Sequence, residues 1–312
     1  NIQSISLIRK MHLSNPVAVI DIGTNSIKFI IAEKSESGTM RILHQETIEL
    51  RIGTGISTQK LSFSDEIMTR LITVLSNLKM KAEGFRVRTL KIVATSAVRE
   101  ASNQNELAQK IKATLKIPLE ILSGNDEAYH IGNAIQLDPK WKATKTLNFI
   151  DLGGGSMECI TIHDHRIDQA ISLPLGAVRL TEYFFDDSNA IFKTNTISSV
   201  SSHVEKVIKD SNLNLDPNRP LLGSGGAFFI LQQSLNGKSQ IQALEVLELA
   251  QKTGAETIEN RIKKYNIPTK RADVFPIALC TLYAFMHAFS IDTFYPSTFN
   301  LKFGILKEML QL

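Results

Sequence analysis

Two segments of the chain place an aspartate at the end of an apolar run and follow it with glycine and small polar residues. The first covers residues 18–32 (AVIDIGTNSIKFIIA) and the second covers residues 148–162 (NFIDLGGGSMECITI). Successive backbone N–H groups in a turn of this composition can bind an anion, and an adjacent carboxylate can hold a divalent cation or orient water. The two segments therefore indicate a site for a phosphate-bearing ligand.

The two segments match each other position by position. Each begins as an apolar strand, turns after its aspartate and returns as a second strand, so each predicts a β-hairpin. A self-match so far apart in the chain indicates two similar domains rather than a short-period repeat, with two unrelated hairpins as the alternative. The coinciding pairs are Ile20 and Ile150, Asp21 and Asp151, Ile22 and Leu152, Gly23 and Gly153, and Ser26 and Ser156.

A third glycine-rich turn follows another predicted strand and opens a helix. The N-terminus of a helix adds a favourable dipole for an anion. Three such turns in one chain predict that a phosphate chain is bound between two domains. The P-loop pattern G-x-x-x-x-G-K-[ST] does not occur, so a P-loop enzyme is excluded. The predicted phosphate-binding residues are Gly23, Thr24, Asn25 and Ser26, then Gly153, Gly154, Gly155 and Ser156, then Gly223, Ser224, Gly225 and Gly226.

Acidic residues in the hairpins suggest a metal site. Asp21, Asp151 and Glu158 are the predicted ligands, directly or through water, of Mg²⁺ or another divalent cation, because such hard ions prefer oxygen ligands. Lys28 occupies in the first hairpin the position of Glu158 in the second. The second hairpin therefore carries two acids where the first carries an acid and a base. The alternative is that Lys28 and Glu158 are solvated strand positions.

The remaining pattern predicts mixed α/β structure in both halves. An apolar stripe with acids in its first turn predicts a helix over residues 64–83. Asn103 and Glu106 predict a capping box that opens a helix ending at Leu115. The expected division of the chain is a tail over residues 1–16, a first domain over 17–135 and a second over 136–312, with the C-terminal helix able to pack back on the first domain.

The composition is that of an ordinary globular protein. The 312 residues carry a net charge of +4, which barely favours a polyanion over a neutral ligand. Two cysteines give neither a disulfide framework nor metal-finger spacing, and we find no membrane-spanning run and no signal-peptide core. We therefore expect a cytoplasmic protein that binds neither nucleic acid nor membrane. Met11 is an alternative natural start within the predicted tail.

The motifs and their order resemble those of the exopolyphosphatase/guanosine-pentaphosphate phosphohydrolase (Ppx/GppA) family. Besides the two hairpins, the resemblance includes VATSAVREASN, ILSGNDEA, SLPLGAVRLTE and GSGGAFFIL, and it extends over about residues 17–306. It implies a duplicated actin-like (RNase H-like) α/β fold of two domains with the site in the interdomain cleft. It corresponds to the short form of the family, because the chain has no room for the C-terminal helical region of the long members.

The resemblance also implies roles for individual residues. Glu127 in SGNDEA aligns with the family's catalytic glutamate, and Arg99 in TSAVRE aligns with its phosphate-contacting arginine; Arg51 and Arg179 are weaker candidates on the same anion path. A glutamate of ordinary pKa, about 4.3, is ionised at pH 7, so we expect Glu127 to orient and polarise water. The alternative is that Glu127 only complements the dipole of its helix. Asp126 stands where a second acid is common.

The chain departs from the family in two places. The third phosphate turn usually continues with threonine, and here Ala227 stands at that position. Near the C-terminus the sequence reads STFNLKFG, so Thr298, Lys302 and Phe303 replace the family's Asp, Arg and Glu, whereas Ser297, Leu301 and Gly304 persist. These differences bear on affinity and substrate choice more than on the core reaction.

The sequence thus predicts a phosphohydrolase that removes terminal phosphate from inorganic polyphosphate, with guanosine pentaphosphate as a second substrate. Water positioned by Glu127 would attack the terminal phosphoryl group, with Mg²⁺ near Asp151 and Glu158. The alternatives are an actin-like kinase or ATPase and a polyphosphate or nucleotide sensor without turnover. A homodimer is compatible with the sequence, and chain-length preference, processivity and metal identity are left open.

Overall fold

Two β-sheets with helices packed against them organise the computed structural model, which describes residues 15–58, 61–187 and 190–312. The predicted tail, with its alternative start at Met11, lies outside the described residues up to position 14. The first sheet has the order β3-β2-β1-β4-β5. Its strands are β1 (Val17–Ile22), β2 (Ile27–Lys34), β3 (Met40–Ile48), β4 (Thr89–Ala94) and β5 (Leu119–Ile121).

The second sheet repeats the topology of the first. Its order is β10-β11-β9-β6-β7-β8, so β6, β7 and β8 form an antiparallel meander like β1, β2 and β3. In each sheet two parallel strands extend the other edge, β4 and β5 in the first and β9 and β11 in the second. The strands are β6 (Leu147–Leu152), β7 (Met157–His163), β8 (Arg166–Leu173), β9 (Leu221–Ser224), β10 (Ile241–Gln242) and β11 (Thr293–Pro296). The predicted α/β class and the duplication are confirmed.

The first strand of each hairpin lies at the centre of its sheet. All six residues of β1 and all six of β6 are buried, which explains why both read as continuous apolar runs rather than as alternating patterns. The only acids in these two strands, Asp21 and Asp151, stand one residue before the strand end. Each carboxylate is therefore fixed where the buried sheet meets the turn.

Helices cover both sheets. Helix α1 begins after Ser64, whose side chain accepts a hydrogen bond from the N–H of Ile67, as the sequence predicts. The predicted capping box at Asn103 is wrong, because its side-chain amide instead pairs with the backbone N–H and C=O of Phe63 at 3.0 and 2.9 Å. Among the described residues, none of the helices combines the length and apolar character needed to span a membrane. The helices are α1 (Asp65–Gly84), α2 (Ser96–Glu100), α3 (Gln104–Leu115), α4 (Gly124–Ile135), α5 (Ala177–Phe184), α6 (Thr196–Asp210), α7 (Gly226–Ser234), α8 (Ala243–Gly254), α9 (Ile258–Tyr265), α10 (Phe275–Ala288) and α11 (Leu301–Leu310).

The C-terminal helix α11 packs against α4, β1 and β2. It shares one apolar cluster with residues of both sheets, among them Val19 and Phe149. Gly304 allows the two helices to touch, because a Cβ atom there would lie 1.7 Å from the carbonyl oxygen of His130 in α4. This contact fixes the position of α4, the helix that carries Glu127 near its N-terminus.

Candidate active site

The two hairpins have the same turn geometry. The N–H of Gly23 donates to the carbonyl of Ser26 at 3.0 Å, and the N–H of Gly153 donates to the carbonyl of Ser156 at the same distance. In each hairpin the aspartate stands opposite the residue at which the copies differ: Asp21 pairs in register with Lys28, and Asp151 with Glu158. The repeat read from the sequence is therefore a structural repeat.

The two turns touch each other across the site. A Cβ atom on Gly154 would lie 2.9 Å from the Cβ of Thr24, and one on Gly155 would lie 2.4 Å from the hydroxyl of Ser96. Within the described residues, neither these glycines nor Gly153 adopts a positive φ. The glycines are therefore required for close approach between the two halves of the molecule. The sequence predicted these glycines only as part of a phosphate-binding turn.

Several backbone donors in the turns are nevertheless available to a ligand. In the described part of the chain, the N–H groups of Thr24, Asn25, Gly154 and Gly155 donate to no protein acceptor. All four residues line one pocket, as do the other residues of the first two predicted phosphate turns. An anion in this pocket would satisfy donors that the fold leaves unpaired.

The third turn enters this pocket only in part. Gly225 and Gly226, at the start of α7, line it, and Gly225 has a φ of 138°, with Leu152 O only 2.5 Å from a built Cβ. Gly223 and Ser224 are strand residues of β9 and do not line it. Gly223 is explained by packing, because a Cβ atom there would lie 2.7 Å from the Phe294 ring.

Glu127 and Arg99 meet at the edge of the pocket. Arg99 Nη1 donates to Glu127 Oε2 at 3.0 Å and to the carbonyl of Leu122 at 2.8 Å, so the arginine orients the carboxylate. Glu127 is buried. Its neighbour Asp126 is exposed and accepts a hydrogen bond from the hydroxyl of Ser123, the N-cap of α4, at 2.6 Å. The two adjacent acids therefore have different roles, and only Glu127 faces the pocket.

The acids of the pocket have shifted pKa values. Burial and the nearby Glu158 raise the pKa of Glu127 well above its usual range, against the opposing effect of Arg99. Burial and Asp151 raise the pKa of Glu158 to about 7, and burial also raises the pKa of Asp151. The expectation that Glu127 has an ordinary pKa is therefore wrong, because the sequence showed neither the burial of Glu127 nor how close Glu158 lies. A carboxylate with a raised pKa is a better proton acceptor near neutral pH.

The acids suit a divalent cation in only one arrangement. Among the described residues, no group of three or more acidic, histidine or cysteine side chains is placed to hold a metal together. Asp21 is already paired with Lys28, whose Nζ lies 3.7 Å from Asp21 Oδ2. Asp151 and Glu158 remain as two adjacent carboxylates, and neither forms an ion pair within the described residues. They fit a cation such as Mg²⁺, which commonly takes one or two carboxylates and completes its shell with water and substrate phosphates.

Arg271 belongs to the pocket and has no motif of its own in the sequence. Its Nη2 donates to the hydroxyl of Ser26 at 3.2 Å and to Glu49 Oε1 at 3.1 Å, and it lines the pocket with Gly226. The buried guanidinium of Arg261 fixes this segment by donating to the carbonyl of Ala272 at 3.0 Å. A basic residue just before an apolar helix was the only available signal.

Arg51 and Arg179, the weaker candidates, join the two halves of the molecule. Arg51 donates to Asn25 Oδ1 at 2.5 Å and to Asp273 Oδ1 at 3.0 Å. Arg179 donates to the carbonyl of Gly155 at 2.7 Å and forms a two-pronged pair with Glu100 at 2.6 and 2.7 Å. Both guanidinium groups hold the turns in place through protein contacts.

Two wider cavities adjoin the pocket. The pocket itself has a volume of about 60 Å³. It shares Ser156 with a cavity of about 370 Å³ lined by Arg99 and Arg179. It shares Asn25 with a second cavity, of about 380 Å³, lined by Arg51, Arg70 and Lys270. The site is therefore a narrow acidic centre between two wider cavities whose walls carry basic residues together with acidic ones, Glu100 in the first and Glu49 and Asp273 in the second.

A model of the Ppx/GppA phosphatase family matches residues 29–312. The chain belongs to the Ppx/GppA phosphatase family. A putative exopolyphosphatase of Haemophilus influenzae is 26% identical over 314 residues, which cover 97% of this chain and 95% of that protein. Family membership makes the chain an enzyme of the phosphatase class and confirms the resemblance read from the motifs.

Solved structures of this family share the fold. The Aquifex aeolicus Ppx/GppA family member superposes with a TM-score of 0.78 at 24% identity, covering 95% of this chain and 98% of that one. An exopolyphosphatase from Cytophaga hutchinsonii superposes with a TM-score of 0.80 at 23% identity and the same coverage. The actin-like fold class is thereby confirmed.

Proposed function

We propose that the enzyme is an exopolyphosphatase, which hydrolyses the terminal phosphoric anhydride bond of inorganic polyphosphate. The observation that carries this proposal is the narrow pocket with Glu127, Asp151 and Glu158, whose facing turns leave backbone N–H groups unpaired and which lies between two wider cavities that each contain arginine residues. A linear polyanion needs a reaction centre of this kind with positive charge along its path. The Haemophilus influenzae relative, a putative exopolyphosphatase, supports the same activity.

Glu127 is the proposed proton acceptor. Its raised pKa suits proton transfer from an attacking water, and the ion pair with Arg99 fixes the direction of its carboxylate. The unpaired N–H groups of the facing turns, together with Arg271, would hold the phosphoryl oxygens in line with that water. Phosphoryl transfer needs mainly positioning and charge neutralisation, and these groups supply both.

A divalent cation would be held by Asp151 and Glu158. When bound, such an ion neutralises charge on the phosphate oxygens. Asp21, which the sequence added as a third ligand, has Lys28 as its partner instead. The role of Asp21 is therefore to keep Lys28 beside the phosphate-binding turn.

Guanosine pentaphosphate is a second candidate substrate. Each wider cavity, at about 370 and 380 Å³, falls within the volume range of pockets that enclose small organic ligands. A nucleoside could occupy one of them while its terminal phosphate enters the narrow pocket. The homodimer and the cytoplasmic location stay predictions.

The test is orthophosphate release from polyphosphate, guanosine pentaphosphate and ATP, each with Mg²⁺ and with a chelator, with Glu127→Gln as the inactive control. We expect Mg²⁺-dependent release from polyphosphate that the variant lacks. Release from ATP alone would indicate a kinase-like or ATPase function. Binding of polyphosphate without release from any substrate would indicate a sensor and would overturn the proposal.

A further inference from the structure

Lys302 is a buried residue whose ammonium group has no counter-ion in the described part of the chain. Its residue is 9% exposed, and it stands second in helix α11, beside Leu301, which lines the pocket. Within residues 15–58, 61–187 and 190–312 its ammonium group forms no hydrogen bond and no ion pair. The recorded contact is with the ring of Phe303, whose centroid lies 5.5 Å from Nζ. Buried ammonium groups are normally paired, so this one requires an explanation.

The surroundings of Lys302 add further positive potential. Helix α11 packs against β1 and β2, the strands that carry Asp21 and Lys28. Asp21 is engaged by Lys28, so it leaves the charge of Lys302 largely uncompensated. The first turn of a helix also carries a positive partial charge, which disfavours a cation there. Burial and Lys28 lower the pKa of Lys302 to about 8, so the group still carries its proton at neutral pH.

The N-terminus of α11 is also uncapped. The N-cap residue Asn300 makes no side-chain capping hydrogen bond, and its buried Oδ1 has no partner in the described part of the chain. The N–H groups of Leu301 and Lys302 donate to no acceptor there. An uncapped helix start, the unpaired ammonium group of a buried residue and Lys28 therefore lie close to the pocket, which Leu301 and Lys28 line. A bound anion would stabilise all three.

We propose that the N-terminus of α11, with Lys302 and Lys28, binds a phosphate group. The phosphate belongs either to the polyphosphate chain or to released orthophosphate, and the first of these sources rests on the proposed function. Lys302 stands where the family pattern carries arginine, so the replacement keeps a positive charge at that position. This differs from the sequence-based expectation, which treated the position as a loss.

The test compares Lys302→Met with the wild-type protein and with Lys302→Arg. Methionine keeps the length of the side chain and removes its charge. Lys307→Met is the matched control, because Lys307 lies on the same helix and its ammonium group binds Gln136 away from the pocket. Thermal unfolding with and without inorganic phosphate measures the binding of orthophosphate. The KM for polyphosphate measures the contribution of the site to binding of the polyphosphate chain.

In phosphate-free buffer we expect Lys302→Met to unfold at or above the wild-type temperature, because it removes an unpaired buried charge. We expect it to lose most of the phosphate-induced rise in Tm or to raise the KM about tenfold, the size of one lost charge-assisted contact. Lys302→Arg and Lys307→Met should retain both properties.

A purely structural lysine would give the opposite pattern. Lys302→Met would then unfold at a lower temperature and keep the wild-type phosphate response and KM, which would overturn the proposal. If the wild-type protein releases no orthophosphate from polyphosphate but its phosphate-induced rise in Tm depends on Lys302, the site stands and the exopolyphosphatase proposal fails. The two proposals are therefore tested separately.

Discussion

The hairpin formed by β1 and β2 has the same turn geometry as the hairpin formed by β6 and β7. The two hairpins differ in the charge of the side chain opposite the aspartate. Both close with the same 3.0 Å hydrogen bond across the turn, and both place an aspartate one residue before the end of the buried strand. In the first, Lys28 stands opposite that aspartate and pairs with it. In the second, Glu158 stands there, and the pKa values of Asp151 and Glu158 are both raised.

The difference between Lys28 and Glu158 therefore suits the two hairpins to different roles in the site. The first hairpin combines a neutralised aspartate with a lysine and free N–H groups, which suits it to hold a phosphate. The second places two acids close to Glu127, which suits it to bind a cation and adds to the effect of burial in raising the pKa of Glu127. The two hairpins share one scaffold, and the residue opposite the aspartate gives them different charge.

The largest effect on turnover should come from Glu127→Gln. This substitution removes the carboxylate whose pKa is raised in part by Glu158 of the second hairpin. We expect turnover to fall about 10²- to 10⁴-fold with substrate binding nearly unchanged, because the amide cannot accept the proton from water. Steady-state kinetics on polyphosphate would measure this. Asp126→Asn is the control on the same helix, and its rate should stay within about threefold of wild type. Near-wild-type turnover of Glu127→Gln would remove Glu127 from catalysis.

The second effect is on stability in metal-free protein. The pKa of Glu158 rises from 4.5 in the unfolded chain to about 7 in the folded state, so between these pH values the folded state binds more protons. Its contribution to stability is therefore full below pH 4.5 and is lost as the pH rises through about 7. The loss amounts to about 3 kcal/mol of the free energy of unfolding.

Denaturant unfolding across this pH range, with a chelator present, measures the loss. Glu158→Gln should remove it, whereas Lys28→Met should retain it, because a lysine side chain titrates far above this window. If the difference in the free energy of unfolding between wild type and Glu158→Gln does not change with pH, the pKa of Glu158 is not raised in the folded state.

A smaller effect distinguishes the two hairpins by their metal dependence. Glu158→Gln should raise the Mg²⁺ concentration for half-maximal rate about tenfold, because a hard cation loses a charged oxygen ligand. Asp151→Asn should act in the same direction. Lys28→Met should leave the Mg²⁺ dependence unchanged and raise the KM for substrate. Initial rates measured over a Mg²⁺ titration give the metal dependence of each variant. Equal metal dependence in all three variants would contradict the assignment of cation binding to the second hairpin and phosphate binding to the first.

The smallest effect concerns the contact between the turns. Gly154→Ala should lower the free energy of unfolding by about 1–2 kcal/mol, because its Cβ would press on Thr24 at 2.9 Å. Gly84→Ala is the control, since nothing lies within 4 Å of its Cβ. Adding Thr24→Ser, which removes the methyl group that the new Cβ would meet at 3.1 Å, should restore part of the loss.

If the glycines of this turn serve only to bind the anion, a side chain at Gly154 should instead weaken binding far more than folding. If Gly154→Ala melts like wild type and fails to bind polyphosphate, the original hypothesis of a ligand cradle is correct. Thermal unfolding and polyphosphate affinity should therefore be measured on the same samples.

The sequence by itself determined the parts that depend on local pattern. Apolar runs ending in Asp21 and Asp151 predicted the two hairpins, and their match predicted the duplicated fold, because a strand and its turn are encoded by adjacent residues. The order of the motifs placed Glu127 and Arg99 in a phosphatase family. The boundary between the two domains stays a prediction, although the repeated sheet order agrees with two similar halves.

Only the tertiary structure decided the properties that depend on distant residues meeting. The raised pKa of Glu127 follows from its burial and from Glu158, which approaches from another element. Arg271 reaches Ser26 from a segment near the other end of the chain, and Gly154 is explained by Thr24 rather than by its own turn. Lys302, an ordinary lysine in the sequence, became a candidate phosphate ligand because the fold buries it without a counter-ion. Burial and electrostatic potential are sums over neighbours, and the fold alone selects those neighbours.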